Sequence, residues 1–518
     1  MATVTAQSSV TPQPSLIPNT GAGNRPRRVL IIGADGLRPD LLDSRVMPTV
    51  VQLATTGVRC WDHHAVYPTH TRVNMSSLTS GCTPGRHGIV ANTMLVPNAT
   101  EDHIVDTSNY QHLNALERIS SGGAVLEPTL GDLLAVRGER VAVAATSTPG
   151  ASMLWTHRHL SRMVNPNSAY GIADLYDLRE KLGEIPEKEA GAQIARQHYI
   201  TDAVIRLYLD DPLNRVIVLW FNEPDSSQHY FGLGSPESLA ALRSVDECVA
   251  ALLTALDQRG LRDQFDIFFL SDHGHSTVRA HNTLRTYLAA AFADIGHSLP
   301  LTTASDYIYA QPEAEVPTVD ELVPLVDWLV AQPWTGIVMT GTPALARLPG
   351  TIPLRALWHQ RLTVRAPLLA VSPRWSHSIN EHGVPGEVLS LTTQAALRSS
   401  HGSLSPFDLH ALLIANGPSF HGAYHSQLPT GAIDLLPTIL TLLDITPPTQ
   451  PDGRVLWELM CAPQGEPGAT HRTTLEPVIA NRNSLRQPQI ALHYVGNTSY
   501  VHGALQDDAF FTTPSPRP

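Results

Sequence analysis

The chain has 518 residues, of which 42% are hydrophobic and 16% are charged, a composition typical of a globular protein rather than a disordered or fibrous one. Its formal net charge of -12 argues against binding to a nucleic-acid backbone, which normally requires a basic surface. The charge does not exclude phosphate substrates, because bound metal ions supply local positive charge that a residue count misses.

The N-terminal segment, residues 1–26, is rich in Thr, Pro, Ser and Asn and lacks the apolar core of a signal peptide. No stretch of the chain approaches the ~18 consecutive apolar residues of a membrane span. The four cysteines form no CxxC pair, so we expect free thiols in a reducing compartment. The sequence therefore predicts a flexible arm over residues 1–26 and a cytoplasmic protein with no membrane partner.

Several short apolar runs along the chain are each suited to a buried β-strand. They are Arg28–Ala34, Val141–Ala145, Val216–Phe221, Ile267–Leu270, Leu368–Val371 and Ala411–Ala415. Helical patterns lie between them, for example around Pro48–Thr56, Ser238–Arg259 and Val319–Ala331. Strands that alternate with helices predict an α/β fold, with a mostly parallel central sheet covered by helices on both faces.

The order of these patterns also predicts the domain organisation. We expect a core of residues 27–275 and 400–460, interrupted by a smaller inserted lobe or cap of residues 276–399, which has many prolines and mixed patterns. The polar segment Leu175–Glu189 is predicted to form a helix on the surface or over the site. Residues 461–518 alternate like strands and are predicted to form an appended edge.

Three of the apolar runs end in side chains that can bind a metal ion. Asp35 follows the first run, Asp225 follows Val216–Phe221, and Asp272 and His273 follow Ile267–Leu270. Open α/β sheets place their sites beyond the carboxyl ends of the strands, so these side chains are expected to meet. Adding His229, four residues after Asp225, and His401 gives carboxylates and imidazoles without thiolates, which favours Zn²⁺ or Mn²⁺.

With these residues in place, the sequence resembles the alkaline phosphatase superfamily, and most closely its type I phosphodiesterase/nucleotide pyrophosphatase branch. The resemblance runs in pieces from about residue 28 to 456. Its motifs in chain order are VLIIGADGLRPD, YPTHTRVNMSSLTSGCTPGRHGIVANTM, FNEPDSSQH, LSDHGHS and SHGSLSPFDLHALLIANGP. The resemblance implies the fold of that superfamily and a two-metal hydrolase of small-molecule phosphate esters.

The resemblance also implies roles for individual residues. One divalent ion, expected to be zinc with manganese as the alternative, would be bound by Asp225, His229 and His401. The second would be bound by Asp35, Asp272, His273 and the oxygen of Thr71. Thr71 would open a helix and act as the nucleophile, forming a phosphothreonine that water then hydrolyses. Asn92 would donate a hydrogen bond to a phosphoryl oxygen.

Two departures from the family patterns bear on the substrate. Phosphomonoesterase and phosphonoacetate hydrolase relatives carry a Lys-based clamp where this chain has Trp155, His157 and Arg158 but no Lys. A missing cation favours monoanionic diesters over dianionic monoesters, and Arg158 is the candidate that could replace it. Arg72 stands where the phosphodiesterase branch usually has an aromatic residue, and we expect it to stack on the substrate or bind an acidic group.

A cysteine motif and several histidines suggest other chemistry. Cys82 begins a C-x-P-x-R pattern like that of sulfatases, but it directly follows Ser80-Gly81, and Thr71 stands at the expected distance instead. His63, His64 and His87 are expected not to bind a metal ion, whereas site roles for His275 and His410 stay open.

A phosphodiesterase or nucleotide pyrophosphatase is therefore the leading hypothesis. A phosphomonoesterase or phosphonate hydrolase of the same architecture is one alternative. A non-catalytic metal-binding protein is the other.

Overall fold

The computed structural model describes residues 27–156, 158, 163–168, 175–189, 191–391, 397–478 and 489–505. The predicted arm of residues 1–26 thus lies outside the described residues. Within the described ranges, none of the helices combines the length and apolar character that crossing a membrane requires.

The strands are numbered here in chain order. They are β1 Arg28–Ala34, β2 Val58–His64, β3 Thr93–Leu95, β4 Ile104–Asp106, β5 Arg140–Ala145, β6 Met163–Val164, β7 Asn214–Phe221, β8 Phe265–Leu270, β9 Ser276–His281, β10 Leu301–Ala304, β11 Tyr307–Ala310, β12 Thr335–Thr340, β13 Ile352–Pro353, β14 Leu369–Pro373, β15 Trp375–Ile379, β16 Pro385–Ser390, β17 Ser399–Ser400, β18 His410–Asn416, β19 Tyr424–Ser426, β20 Thr430–Gly431, β21 Thr470–Leu475, β22 Gln489–Val495 and β23 Thr498–Leu505.

The α-helices are numbered in the same way. They are α1 Pro48–Thr56, α2 Thr71–Ser80, α3 Pro84–His87, α4 Tyr110–Ile119, α5 Leu130–Ala135, α6 Pro149–Thr156, α7 Leu175–Leu182, α8 Ile194–Ala203, α9 Asp225–Phe231, α10 Pro236–Gln258, α11 Leu284–Ile295, α12 Val319–Ala331, α13 Pro406–Leu409 and α14 Leu435–Leu442.

A nine-stranded central sheet organises the molecule. Its strand order is β19-β2-β18-β8-β1-β7-β5-β6, with β20 paired to β2. β1 is parallel to both of its neighbours, β7 and β8, and β5 is parallel to β7 and β6. β18 runs antiparallel to β8 and to β2. The predicted α/β fold with a mostly parallel sheet is confirmed.

Both faces of this sheet are buried, which explains why the central strands read as continuous apolar runs. In β1, Val29 and Ile31 join one hydrophobic core, whereas Leu30 and Ile32 join a second core on the opposite face. This division follows from the two-residue period of a strand. Each fully buried Val, Leu or Ile contributes about 1.5–3 kcal/mol relative to exposure, so the cores on both faces stabilise the packing of the sheet against its helices.

Between the central strands β8 and β18 the chain builds two further sheets. A five-stranded sheet, ordered β10-β11-β14-β12-β13, packs with α11 and α12 around a hydrophobic core of its own. A four-stranded sheet has the order β15-β16-β9-β17. In it β17 pairs antiparallel with the start of β9, with Ser400 opposite Ser276. This pairing returns His401 to the end of β8.

The C-terminal strands form a separate three-stranded antiparallel sheet, ordered β21-β22-β23. Within the described ranges they pair with one another and not with the central sheet. The described strands of residues 461–518 therefore form a sheet of their own, and the predicted edge extension stays a prediction. Alternation along a strand identifies its buried face but not the strand with which it pairs.

Candidate active site

Neighbouring parallel strands bring the predicted acidic residues together at one edge of the central sheet. Asp35 follows β1, Asp225 begins α9 just after β7, and Asp272 follows β8. The backbone N–H of Asp35 donates to Phe221 O at 3.1 Å, and the N–H of Asp225 donates to Asp35 O at 3.0 Å. The carboxyl ends of β1 and β7 are thus fixed to each other by backbone hydrogen bonds.

The first group of possible metal ligands surrounds Asp225. Its Oδ1 atom lies 3.3 Å from His229 Nε2 and 3.4 Å from His401 Nε2. The other ring nitrogens face backbone carbonyls, with His229 Nδ1 donating to Ser399 O and His401 Nδ1 donating to Thr69 O, each at 2.7 Å. Such bonds fix the tautomer, so both Nε2 atoms turn a lone pair toward Asp225.

The second group surrounds His273. Its Nε2 atom lies 3.4 Å from Asp35 Oδ1, 3.3 Å from Asp272 Oδ2 and 3.1 Å from Thr71 Oγ1. Its Nδ1 atom donates to Gly274 O at 2.9 Å. Asp35 Oδ1 and Asp272 Oδ2 are buried and have no hydrogen-bond partner among the described residues. Buried carboxylate oxygens without donors are costly, and a divalent cation fits this set of oxygen and nitrogen atoms.

The electrostatics of the site also favour bound positive charge. Burial, together with repulsion from Asp272 and Asp225, raises the pKa of Asp35 well above its usual value. Burial likewise raises the pKa of Asp272. Burial alone would raise the pKa of Asp225 too, but the imidazoles of His229 and His275 outweigh it and hold that pKa well below the usual range. Three buried carboxylates in contact range repel one another unless cations are present.

Thr71 is the first residue of α2 and is buried, with its hydroxyl directed at His273. At a helix N-terminus the first N–H groups have no partner within the helix, which favours negative charge nearby. One of them, the N–H of Arg72, donates to Asn92 Oδ1 at 3.2 Å. Because the amide oxygen of Asn92 is engaged, its N–H₂ group is left as the donor.

A cleft of about 710 Å³ opens beside Thr71, Asp225 and His229. Its wall includes Arg72, as expected for a substrate-binding residue. It also includes residues that sequence reasoning did not assign to the site, namely Lys188, Arg196 and Tyr230. Lys188 belongs to the polar segment Leu175–Glu189, which was predicted to form a helix on the surface or over the site; the helix α7 covers only Leu175–Leu182.

Arg158 requires a correction, because it does not line this cleft. Its Nε atom donates to Glu117 Oε1 at 2.7 Å, and its guanidinium is 3.8 Å from Asp132. The side chain is 43% exposed and its charge is balanced by these two carboxylates. Arg158 therefore pairs with surface carboxylates of α4 and α5 and does not contact a substrate in the cleft.

The structure distinguishes the two histidines whose site roles the sequence did not decide. His275 joins the site, with its Nε2 atom 2.7 Å from Asp225 Oδ1, whereas His410 contacts His502 instead. His63 bonds Thr430 and His87 bonds Ser77, as structural residues do.

Cys82, the residue that carries the sulfatase-like pattern, is buried in a structural position. Its thiol donates to Ser80 O at 3.3 Å, and burial raises its pKa to about 12. It is therefore not a nucleophile.

Comparison with known proteins gives a consistent picture. A family model described as type I phosphodiesterase / nucleotide pyrophosphatase matches residues 29–375. The Bis(5'-adenosyl)-triphosphatase ENPP4 of Homo sapiens is 22% identical over 424 residues, covering 82% of this chain and 79% of that protein. The venom phosphodiesterase of Macrovipera lebetinus is 26% identical over 257 residues, covering 48% of this chain and 26% of that longer protein.

Solved structures show a similar fold. Murine ectonucleotide pyrophosphatase / phosphodiesterase 5 aligns with a TM-score of 0.56 and 18% identity, over 82% of this chain and 96% of the other. That structure is described as an inactive threonine-to-alanine variant in complex with AMP.

Proposed function

We propose that this chain, which belongs to the type I phosphodiesterase / nucleotide pyrophosphatase family, hydrolyses phosphodiesters and pyrophosphates of small nucleotides with Thr71 as its nucleophile. The observation that carries the proposal is the position of Thr71. Its hydroxyl oxygen lies 3.1 Å from His273 Nε2 at the start of α2, in the wall of the cleft. A hydroxyl in this position is adjacent both to possible metal ligands and to space for a substrate.

The two groups of ligands suit two divalent metal ions. Asp225, His229 and His401 would hold one ion, and Asp35, Asp272 and His273 would hold the other beside Thr71. Imidazoles combined with carboxylates favour Zn²⁺, with Mn²⁺ as the alternative. When bound, the ions supply positive charge that stabilises the transferring phosphoryl group and lowers the pKa of the Thr71 hydroxyl.

The chemistry on Thr71 consists of two displacements at phosphorus. First, the deprotonated Oγ1 attacks the phosphorus of a diester, and the bond to one ester oxygen breaks with its electron pair. That oxygen takes up a proton, equivalent to the one that Thr71 lost, and leaves as an alcohol; when the substrate is a pyrophosphate, it leaves as part of a phosphate. Thr71 then carries a phosphoryl group that keeps the second ester group, rather than a plain phosphothreonine. Water attacks the same phosphorus, the bond to Oγ1 breaks, and a phosphate monoester is released with Thr71 restored.

The surrounding side chains bind and orient the substrate. The Asn92 amide oxygen accepts from Arg72 N–H, so its N–H₂ group would donate to a phosphoryl oxygen, and Arg72 places a guanidinium beside the reacting threonine. Farther along the wall, Lys188 supplies a further cation for phosphate groups. Tyr230 is 59% exposed, and its ring offers a surface on which a nucleobase can stack. The AMP complex of the murine relative and the adenosine nucleotide named for ENPP4 support a nucleotide substrate here.

A phosphomonoesterase is the second candidate, and Lys188 is the observation that favours it. The missing Lys beside Trp155 favoured diesters, because a monoester carries a second negative charge that a cation would neutralise. Lys188 places such a cation in the cleft wall. Comparing kcat/KM for bis-p-nitrophenyl phosphate and p-nitrophenyl phosphate with added Zn²⁺ separates the two. We expect the diester to react faster, and faster monoester cleavage would reverse the assignment.

The role of Thr71 is tested by Thr71→Ala, which should abolish turnover while leaving the zinc content nearly unchanged. Thr79→Ala is a matched control in the same helix, because its hydroxyl bonds Met75 O instead of facing the site. Turnover that persists in Thr71→Ala would show that the nucleophile is misassigned. A protein that binds zinc but cleaves no ester would support the non-catalytic alternative.

A further inference from the structure

A second cluster of metal-ligand side chains lies where the central sheet meets the C-terminal sheet. It consists of Asp62 and His64 on β2, His493 on β22 and His502 on β23, and each offers one ligand atom within 4.8 Å of all the others. The cluster shares no residue with the active site. In the central sheet, β18 and β8 separate β2 from β1.

The distances within the cluster match those around a tetrahedral zinc ion. Ligand atoms bonded at 2.0–2.1 Å to tetrahedral Zn²⁺ lie about 3.3 Å from one another. Asp62 Oδ1 is 3.2 Å from His64 Nε2 and 3.7 Å from His502 Nδ1, and His64 Nε2 is 3.1 Å from His502 Nδ1. These three atoms form one triangular face. His493 Nδ1 lies 3.0 Å from the other carboxylate oxygen, Asp62 Oδ2, and its ligand atom is within 4.8 Å of those of the other three residues.

Hydrogen bonds alone do not give every ring nitrogen in this cluster a suitable partner. His64 Nδ1 donates to Thr430 O at 3.1 Å, which leaves a lone pair on Nε2 directed into the cluster. His410 Nε2 also lies 3.2 Å from His502 Nδ1. A single N–H on His502 Nδ1 cannot serve His64, His410 and Asp62 together. A cation would attract the ligand atoms of Asp62, His64 and His502 at once.

The cluster is mostly buried, so the protein would enclose a bound ion. Its partly exposed side chains leave one side through which an ion can enter. The side chains of His64 and His493 are 1% and 5% exposed, whereas those of Asp62 and His502 are 20% and 22% exposed. Four protein ligands leave no open position for catalysis.

We propose that Asp62, His64, His493 and His502 bind a structural divalent cation of the zinc class. Three imidazoles with one carboxylate and no thiolate favour Zn²⁺ over Ca²⁺ or Mg²⁺, which prefer oxygen ligands. The ion links β2 of the central sheet to β22 and β23, and so fastens the C-terminal sheet to the core. It is separate from the two ions proposed for the active site.

The test is the zinc content of the full-length protein, measured by mass spectrometry of the metal after loading with Zn²⁺ and gel filtration. The wild type should hold about three zinc ions per chain, and His502→Gln about two with unchanged kcat/KM for the diester. His471→Gln is the matched control, because His471 is an exposed histidine of the same C-terminal sheet and should leave the content at about three. His229→Gln should instead lose activity together with an active-site ion.

Equal zinc content in the wild-type and His502→Gln proteins would overturn the proposal. If His502→Gln fails to fold, Asp62→Asn tests the same ion, since it changes a partly exposed carboxylate by only one atom. A second readout is thermal unfolding, in which chelation should lower the Tm of the wild type more than that of Asp62→Asn. Equal shifts in the two proteins would likewise contradict a structural ion at this place.

Discussion

Replacing Arg72 tests the cation that stands beside the nucleophile. Arg72 follows Thr71 in α2, lines the cleft, and donates from Nε to Thr107 Oγ1 at 3.3 Å. Burial lowers the pKa of its guanidinium, while Asp106, Asp35 and the other carboxylates of the site counteract this effect. Arg72→Ala removes the charge but keeps the backbone N–H that bonds Asn92, so the start of α2 is preserved.

The expected loss follows from the strength of one hydrogen bond to a charged group. Such a bond contributes about 1.5–3 kcal/mol, which corresponds to a decrease in kcat/KM of about 10- to 150-fold. Arg72→Lys should recover part of this loss, because lysine restores the charge but not the planar guanidinium.

The assay is steady-state hydrolysis of bis-p-nitrophenyl phosphate and of a dinucleoside triphosphate by the zinc-loaded protein. Arg355→Ala, at an exposed arginine in the described part of the chain, is the control and should behave like the wild type. If kcat/KM for both substrates stayed within about twofold of the wild type in Arg72→Ala, Arg72 would not contact the substrate in the transition state, and the reasoning would be refuted.

Three further outcomes are expected. Tyr230→Ala should raise KM for a nucleotide substrate by about fivefold or more with little change in kcat, because stacking contributes about 1–3 kcal/mol, and an unchanged KM would argue against stacking. Removing metal ions with a chelator should abolish turnover, and added Zn²⁺ should restore it; activity that survives in the metal-free protein would contradict a metal-dependent site. Burial raises the pKa of Asp434 to about 6 from 3.8, so its stabilising contribution is present below pH 4 and lost as pH rises through 6. Wild-type stability should therefore fall relative to Asp434→Asn by about 2 kcal/mol between pH 4.5 and 7 in urea unfolding, whereas parallel pH profiles would be inconsistent with the shift.

The strand ends of the central sheet were predictable because local rules determine them. The apolar runs indicate buried parallel strands, and parallel strands bring their carboxyl ends to one edge, where the structure places Asp35, Asp225 and Asp272. The motif resemblance added Thr71, and the structure places it with His273 and His401, which the residue pattern had already suggested.

Residues whose position depends on loops or on distant pairing were not predictable in this way. Arg158 was expected at the site, but its charge is balanced by Glu117, which lies 41 positions earlier in the chain. Lys188 lines the cleft from a loop segment, and the spacing of residues in the sequence does not predict the path of that segment. His64 gave no signal as a ligand because its partner His502 lies 438 positions away, in a sheet whose packing the sequence pattern did not specify.

The stereochemical course of hydrolysis at phosphorus shows whether the phosphoryl group passes through Thr71. A phosphorothioate diester of known configuration is hydrolysed in water enriched in heavy oxygen, and the configuration of the product is determined. Two in-line displacements, each with inversion, predict net retention. Net inversion would contradict the account, because water would then have attacked the substrate directly.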